Sequence, residues 1–216
     1  MKKFLIIIGS LFIIGAIILF IILPGQQQQK HIVEVISTNQ VFTKEYETAV
    51  FAGGCFWCIE SAFQETPGVT EAISGYIGGA IESAYYQDVV SGTTRHREAV
   101  WVSYNPQEVS YEELLNVFWE RIDPTDPEGQ FADRGYQYTT AVYYYIQDQQ
   151  DHAEHSRRMI DVSERFENPV VTEILPVTDF YIAEEYHQDF YQKSSDHYKA
   201  YEFFSGRTDF VNEFWQ

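Results

Sequence analysis

Cysteine is scarce in this sequence, and its scarcity limits the possible chemistry. Only two of the 216 residues are cysteines, Cys55 and Cys58, too few for a framework of structural disulfides. A structural zinc site needs four ligands, and no second cysteine pair is present to supply the remaining two. Covalent haem attachment needs Cys-x-x-Cys-His, whereas Ile59 follows the second cysteine. Redox chemistry is the use of a Cys-x-x-Cys pair that these absences favour.

Positive charge is also scarce. The chain has 14 Lys and Arg against 32 Asp and Glu, a formal net charge of −18. Such an excess repels nucleic acid and anionic lipid headgroups, so we expect neither as a partner; solubility alone would account for it. No glycine-rich phosphate loop or dinucleotide fingerprint occurs, so no bound nucleotide is expected. No internal repeat of solenoid length is visible. The length suits one domain with an accessory segment.

The N-terminus contains the one long apolar run. Residues 4–23 carry no charge and follow Lys2 and Lys3. As a helix, such a run would span roughly 30 Å, about the hydrocarbon thickness of a bilayer. We therefore predict a transmembrane signal anchor over residues 1–25, a tether over 26–46 and a folded domain over 47–216, outside the cytoplasm on the periplasmic or extracellular side. A cleaved signal peptide, giving a secreted protein, is the alternative, although no Ala-x-Ala pattern follows.

The stretch around the two cysteines is the centre of the sequence. Residues 48–52 are typical of a buried strand, and Gly53–Gly54 permits a tight turn. Apolar residues recur at helical spacing from Phe56 onward, which places Cys55 at a helix start. Free N–H groups and the helix dipole would there lower the pKa of Cys55 and make it a nucleophile, and Cys58 could close a disulfide with it. A small core cysteine is the alternative.

The remaining chain mixes strands and helices. We predict strands over residues 69–76, 97–104, 138–146 and 170–175, and a short extended piece near 32–36. Helices are expected over 83–90, from a Ser110–Glu113 capping box towards Asp123-Pro124, over 147–166, and in pieces over 183–204 with a last turn towards 215. Because strands and helices do not alternate strictly, the fold class is predicted to be α+β, with helices covering a sheet.

Glu98 is the candidate general acid. It shares a predicted strand face with Val100 and Val102, so burial of that face would raise the pKa of its carboxyl. A raised pKa keeps the group protonated near neutral pH, as proton donation requires. The alternative is a solvated carboxylate paired with Arg95 or Arg97.

Five blocks, in order, resemble the type A peptide methionine sulfoxide reductases. They are Gly54-Cys55-Phe56-Trp57, Gly75-Tyr76-Ile77-Gly78-Gly79, His96-Arg97-Glu98-Ala99-Val100, Asp133 to Tyr138, and Ala183 to Gln188. The resemblance covers roughly residues 48–215. It implies a two-layer α+β sandwich around a mixed, largely antiparallel sheet, and reduction of methionine-S-sulfoxide in proteins, with free methionine sulfoxide as a second candidate substrate.

The resemblance also implies roles for individual residues. The implied catalytic set is Cys55, Glu98, Tyr76, Tyr138, Asp133 and Cys58, with Phe56 and Trp57 in substrate binding. Both tyrosines would donate hydrogen bonds to the sulfoxide oxygen. Asp133 would orient the polar network, and the two aromatic rings would hold the S-methyl group. Taken alone, each tyrosine is more typical of packing, Asp133 of a loop carboxylate, and one aromatic ring of the core. His187 is expected to have a structural role near the site.

The sequence departs from the commoner family pattern at Cys58, where glycine is usual and resolving cysteines lie near the C-terminus. Attack by Cys55 would leave a sulfenic acid, and Cys58 is the remaining thiol with which it can condense. We therefore expect a Cys55–Cys58 disulfide reduced by a thioredoxin-like protein or a dithiol, no bound cofactor or metal, and a monomer. Two alternatives are a thioredoxin-like disulfide oxidoreductase and a membrane-tethered module that binds oxidised methionine without turnover.

Overall fold

A computed structural model of the chain describes residues 33–37 and 45–215. The predicted signal anchor and most of the predicted tether lie outside these residues. Among the residues described, no helix combines the length and apolar character needed to cross a membrane.

A seven-stranded sheet forms the centre of the fold, in the order β1-β9-β3-β4-β2-β7-β8. Neighbouring strands are antiparallel except for the parallel pair β7 and β8. Two further strands, β5 and β6, pair with each other. The strand bounds are β1 Val35–Ile36, β2 Glu47–Ala52, β3 Val69–Ile77, β4 Arg97–Tyr104, β5 Gly129–Gln130, β6 Asp133–Arg134, β7 Ala141–Tyr144, β8 Glu173–Pro176 and β9 Phe180–Ile182.

Seven helices accompany the sheet in the part of the chain that the structure describes. They are α1 Phe56–Gln64, α2 Tyr86–Val90, α3 Tyr111–Trp119, α4 Gln147–Asp161, α5 Phe190–Lys193, α6 Ser195–Ser205 and α7 Arg207–Phe214. Short 3-10 turns lie at Ile81–Ser83 and Tyr136–Tyr138. The α+β fold class is therefore confirmed.

The alternation along β4 determines which side chains reach the helices. Val100 and Val102 point to the larger apolar core, which includes residues of α1 and α3, whereas Ala99 and Trp101 point to a smaller cluster on the other face. Successive side chains of a strand point to opposite faces, so Glu98 shares the face of Val100 and is almost fully buried. The strand thus brings a carboxyl to the helix-covered side of the sheet.

Helix α1 is fixed on that face by aromatic packing. Phe63 stacks on Phe51 of β2 with ring centroids 4.8 Å apart, and both side chains are fully buried. Burial of a phenylalanine side chain contributes about 1.5–3 kcal/mol, so these contacts hold the helix start at a defined place above the sheet. The strand before the cysteines and the helix after them both agree with the sequence prediction.

Several predicted elements differ in length from those in the structure. The helix predicted over 83–90 occupies Tyr86–Val90, and the helical pieces predicted from 183 begin at Phe190. Three other elements differ for local reasons. The strand expected from residue 138 begins at Ala141, because a 3-10 turn follows Gly135, whose φ is +121°. The helix expected to reach 166 ends at Asp161, and shortly afterwards Glu164 adopts a φ of +56°. The strand expected over 170–175 occupies Glu173–Pro176, where it pairs with β7.

Candidate active site

The loop between β2 and α1 places Cys55 at the helix start. Gly54 has a φ of +82°, and a Cβ atom there would lie 2.6 Å from the Cβ of Gln130. Only glycine combines that backbone conformation with so close an approach. Cys55 is the N-cap residue of α1, and its side chain makes no capping hydrogen bond. The thiol is therefore left for other contacts.

Glu98 meets this helix start from β4. Its Oε2 accepts a hydrogen bond from the backbone N–H of Phe56 at 3.1 Å. Burial raises the pKa of the Glu98 carboxyl to about 8, and the charge of Asp133 adds to the rise while the Phe56 N–H opposes it. The carboxyl therefore holds a proton at neutral pH beside the cysteine, as the strand pattern predicted.

A cavity of about 220 Å³ opens at this point. Its lining contains six of the predicted site residues together with two tyrosines that the sequence did not single out: Cys55, Phe56, Trp57, Glu98, Asp133 and Tyr138, with Tyr86 and Tyr201. Residues from strands, helices and loops distant in sequence thus converge on one small space. Tyr76 and Cys58 are not among the lining residues.

The Tyr76 hydroxyl donates to Glu184 Oε2 at 2.8 Å, and the side chain is fully buried. The other oxygen of Glu184 accepts from the backbone N–H of Tyr86 at 3.0 Å. Tyr76 was predicted to donate directly to a sulfoxide oxygen. In this structure it instead fixes, through Glu184, the segment that carries Tyr86 into the cavity.

Three tyrosines of the lining have neutral hydroxyls, and one of them is already bound to a carboxylate. Burial raises the pKa of Tyr86, Tyr138 and Tyr201, so all three keep their protons at neutral pH. The Tyr201 hydroxyl donates to Asp133 Oδ2. Burial also raises the pKa of the Asp133 carboxyl, while the bond from Tyr201 opposes that rise. Asp133 therefore binds the hydroxyl of a tyrosine in the cavity lining, and its predicted orienting role stays a prediction.

Trp57 is held in place by its neighbours. Its indole Nε1–H donates to Nδ1 of His187 at 3.2 Å, and its ring stacks on Phe190 with centroids 3.8 Å apart. Burial lowers the pKa of His187 to about 4, so the imidazole is neutral and Nδ1 can accept. The predicted structural role of His187 near the site agrees with this contact.

The two thiols differ from prediction in one respect. Burial raises the pKa of Cys55, and hydrogen bonding to Cys58 and the charges of Cys58, Glu98 and Asp133 raise it further. The hydrogen bond from Cys55 lowers the pKa of Cys58; burial opposes this and the Arg207 charge assists it. The predicted lowering of the Cys55 pKa is therefore wrong for this structure, because the thiol is buried and donates to Cys58.

Cation ligands are not grouped at the cavity. Across the described ranges, no three His, Cys, Asp or Glu side chains are arranged to hold a metal ion. On α4, His152 contacts Glu112 at 2.9 Å and Asp148 at 3.7 Å on a partly exposed surface. These contacts are those of a solvated helix face.

The comparisons with known proteins agree with this geometry. The profile of the family "Peptide methionine sulfoxide reductase" matches residues 47–216. Peptide methionine sulfoxide reductase MsrA of Bacillus velezensis is 48% identical over 174 residues, covering 81% of this chain and 98% of that protein. The protein of the same name from Bacillus subtilis is 47% identical over 173 residues, covering 80% and 98%.

Solved structures with the same fold include Mxr1 from Saccharomyces cerevisiae in reduced form, 27% identical with a TM-score of 0.68, covering 74% of this chain and 92% of that one. Methionine sulfoxide reductase A of Corynebacterium diphtheriae is 31% identical with a TM-score of 0.63, covering 73% and 78%. On the strength of the family match and these relatives, the chain belongs to the peptide methionine sulfoxide reductases, which are oxidoreductases.

Proposed function

We propose that this enzyme reduces methionine-S-sulfoxide in proteins, with Cys55 as nucleophile and Glu98 as general acid. The observation that carries the proposal is the single cavity in which a thiol, a protonated carboxyl and tyrosine hydroxyls converge beside aromatic rings. Phe56 and Trp57 suit the S-methyl group, since methyl and sulfur both pack well against aromatic faces.

The reaction transfers oxygen from the substrate sulfur to Cys55. Cys55 Sγ attacks the sulfoxide sulfur as the Glu98 proton moves to the sulfoxide oxygen, and methionine leaves with Cys55 as a sulfenic acid. The thiol proton of Cys55 replaces the one that Glu98 gave, so atoms and charge balance. Tyr86 and Tyr138 are placed to donate hydrogen bonds as charge develops on the oxygen, whereas the Tyr201 hydroxyl is bound to Asp133.

Recycling follows from the position of Cys58 on the first turn of α1. Its backbone N–H donates to the Cys55 carbonyl at 3.3 Å, so the two residues share one helical turn. The sulfenic acid condenses with the Cys58 thiol, releasing water and forming the Cys55–Cys58 disulfide. A thioredoxin-like protein or a small dithiol then reduces the disulfide, and no bound cofactor takes part.

The first experiment mixes the protein with a peptide carrying resolved S- and R-methionine sulfoxide plus dithiothreitol, and follows methionine by mass spectrometry. We expect loss of the S epimer only, and no loss with Cys55→Ser. If a folded, reduced sample turned over neither epimer, the assignment would be wrong. Activity on protein disulfides would then support a disulfide oxidoreductase, and binding without product a sulfoxide-binding module.

The role of Cys58 is tested separately. Without reductant, Cys58→Ser should release one equivalent of methionine per protein, since Cys55 alone transfers the oxygen. With a thioredoxin-like donor, we expect the variant to stop after that first equivalent. Normal turnover with this donor would show that Cys58 is not the resolving residue.

We also propose that the catalytic domain lies outside the cytoplasm, tethered by the apolar segment of residues 1–25, and that its fold is the two-layer sandwich of its family. The support for the location is the uncharged run of residues 4–23 behind Lys2 and Lys3. Protease added to intact bacterial cells expressing the full chain should digest the domain, and it should fractionate with membranes. Protection of the domain from protease would contradict the orientation, and a freely secreted product would indicate cleavage.

A further inference from the structure

Arg207 is a buried cation that the reaction described above does not use. It is the first residue of α7, its side chain is 1% exposed, and its guanidinium packs over the ring of Phe131 with Cζ 4.8 Å from the ring centroid. Nη2 donates to the Gly53 carbonyl at 3.1 Å, and Nη1 donates to the Arg121 carbonyl. Its Nε–H has no partner in the described residues. The guanidinium thus touches the loop that carries the nucleophile.

The contacts of Arg207 leave its charge uncompensated. Both acceptors are neutral carbonyls, and within the described residues no carboxylate forms a salt bridge with it. Burying a cation is costly unless an anion is nearby. The charges that act on Arg207 most strongly are, in order, those of Cys58, Tyr201, Cys55 and Asp133. Because burial keeps Tyr201 neutral, the anions that can compensate Arg207 are a Cys58 thiolate, which acts on it most strongly, and the more weakly acting Asp133 carboxylate.

The two cysteines are not equally accessible. Cys55 lines the cavity, whereas Cys58 does not and is 2% exposed. Cys58 lies beneath α6, because Ser61 Oγ donates to the Cys58 carbonyl at 3.3 Å and also contacts the Tyr198 hydroxyl at 2.8 Å. An external thiol that enters through the cavity therefore meets the sulfur of Cys55.

We propose that Arg207 is a positioning residue of the recycling step, which holds Cys58 as the thiolate while an external dithiol attacks Cys55. This inference rests on the proposed Cys55–Cys58 disulfide. It assigns a direction to the exchange: the donor forms its mixed disulfide with Cys55, and Cys58 is the leaving group. A leaving thiol departs faster when its thiolate is stabilised.

The electrons balance in two steps. The donor thiolate attacks Cys55 Sγ, a donor–Cys55 bond forms, the Cys55–Cys58 bond breaks, and the electron pair stays on Cys58 Sγ beside Arg207. The second donor thiol then attacks the donor–Cys55 bond, which leaves the donor oxidised and both cysteines reduced. The two protons of the donor dithiol pass to the cysteine pair.

Several groups besides Arg207 act on the Cys58 sulfur. The ionisable ones facing it are Cys55 on the same turn, Tyr198, Tyr201 and Glu202 on α6, Asp133 on β6 and Glu98 on β4. Carboxylates among them disfavour a thiolate, and the tyrosines are neutral. Arg207 is the cation among the groups that act on Cys58, so removing its charge should raise the pKa of the Cys58 thiol.

The test titrates Cys58 in the full chain carrying Cys55→Ser, where serine keeps a hydroxyl donor in place of the thiol. Cysteine labelled with carbon-13 at Cβ reports the midpoint by NMR. Adding Arg207→Gln should raise the Cys58 midpoint by about 1–3 pH units, the usual effect of one close charge. Arg207→Lys, which keeps the charge, should restore most of the shift.

A matched control separates charge from helix docking. Arg165 also fastens α7, through a hydrogen bond to the Phe214 carbonyl and a guanidinium stacked 4.2 Å from the centroid of Trp215. Arg165→Gln should therefore leave the Cys58 midpoint unchanged. An unchanged midpoint in Arg207→Gln, or an equal rise in Arg165→Gln, would overturn the proposal.

A second measurement needs no substitution at Arg207, in case that variant does not fold. The oxidised wild type is treated with a small monothiol, quenched in acid and alkylated, and the mixed disulfide is mapped by mass spectrometry. We expect the monothiol on Cys55 and the alkyl group on Cys58; the reverse would overturn the proposal. Failure of the wild type to release one methionine equivalent without reductant would instead count against the proposed function.

Discussion

At the scale of single residues, the Glu98 carboxyl has two tasks that depend on its protonation state. Its Oε2 accepts from the Phe56 N–H, and its proton is the one that the proposed mechanism transfers to the substrate. Burial in the helix-covered face of the sheet raises its pKa to about 8, which keeps that proton available at neutral pH. The strand therefore supplies both the location and the acidity.

Glu98→Gln should lower kcat by about 10²-fold, within the range of general acid catalysis, because the amide keeps the size and an acceptor oxygen but cannot give up a proton. In the wild type, single-turnover rates should fall as pH rises through about 8, since the acid form of Glu98 is lost. The rate of methionine release across pH is the measurement. A variant that kept the wild-type rate and pH profile would show that another group is the acid.

The positions of Cys55 and Glu98 were predictable from the sequence, and the other residues of the cavity lining were less so. Cys55 follows a strand pattern and two glycines, and Glu98 lies on the apolar face of an alternating strand pattern. Both patterns can be read directly from the sequence. Tyr86 and Tyr201 were missed because the chain has 16 tyrosines and nothing local distinguishes these two. The pKa of Cys55 was mispredicted because the sequence shows neither how deeply the thiol is buried nor that it donates to Cys58.

At the scale of secondary structure, α3 shows how a local signal fixes an element. Ser110 accepts from the Glu113 N–H at 3.2 Å, and Glu113 accepts from the Ser110 N–H at 2.7 Å, which completes the predicted capping box. The helix buries Leu114, Leu115 and Phe118 in the larger core. The capping box therefore fixes the residue at which α3 begins, and with it the face of the helix that carries the apolar side chains.

Ser110→Ala should reduce the free energy of unfolding by about 1 kcal/mol, because it leaves orphan N–H groups at the start of α3. Activity at low temperature should not change, since neither Ser110 nor its partner Glu113 lines the cavity. Urea denaturation measures the loss. Ser83→Ala, which removes an exposed hydroxyl bond to the Ala80 carbonyl, serves as the control and should stay within about 0.5 kcal/mol. Equal losses in the two variants would contradict the capping role.

Elements with strong local patterns were predicted and those without were not. Strand β4 has the predicted bounds, because its alternating side chains serve two apolar clusters. Strand β9 has only three residues and was missed. It is defined by pairing with Tyr76 and Ile77 of β3, a contact across about 100 residues of chain that no local pattern reveals.

At the scale of the whole molecule, buried carboxyls make stability depend on pH. Burial raises the pKa of Glu60 to about 7 and of Glu98 to about 8, so the folded protein binds protons there that the unfolded chain has lost. The lowered pKa of His187 has the opposite effect, but only below its ordinary value of 6.5. Above that pH the carboxyls dominate among these groups.

The free energy of unfolding should therefore fall by about 2 kcal/mol between pH 6.5 and pH 8. Urea titrations at intervals across this window measure the slope. Glu60→Gln should flatten the lower part of it, whereas Glu71→Gln, at an exposed position, should leave it unchanged. A free energy of unfolding that rose over this window would contradict the assignment of protons to the two buried carboxyls.

The net charge of −18 should influence which oxidised peptides arrive fastest. At low ionic strength, kcat/KM should be higher for a sulfoxide peptide flanked by lysines than for one flanked by glutamates, because the field of the protein attracts cations. The difference should shrink as salt screens the field, over a Debye length of about 10 Å at 0.1 M. A neutral peptide is the control. A preference that persisted at high salt would indicate direct contacts instead.

The order of the site along the chain has a consequence for biosynthesis. Cys55 and Glu98 precede Tyr201 and Arg207 by more than 100 residues. Since a chain is made from its N-terminus, the thiols leave the ribosome well before α6 and α7 exist to cover them. A partly synthesised chain thus carries both cysteines before α6 and α7 are present to cover them. If the proposed function holds, we expect selectivity for methyl sulfoxides only after the last helices dock, and before that the two cysteines should react with oxidants as an unprotected dithiol.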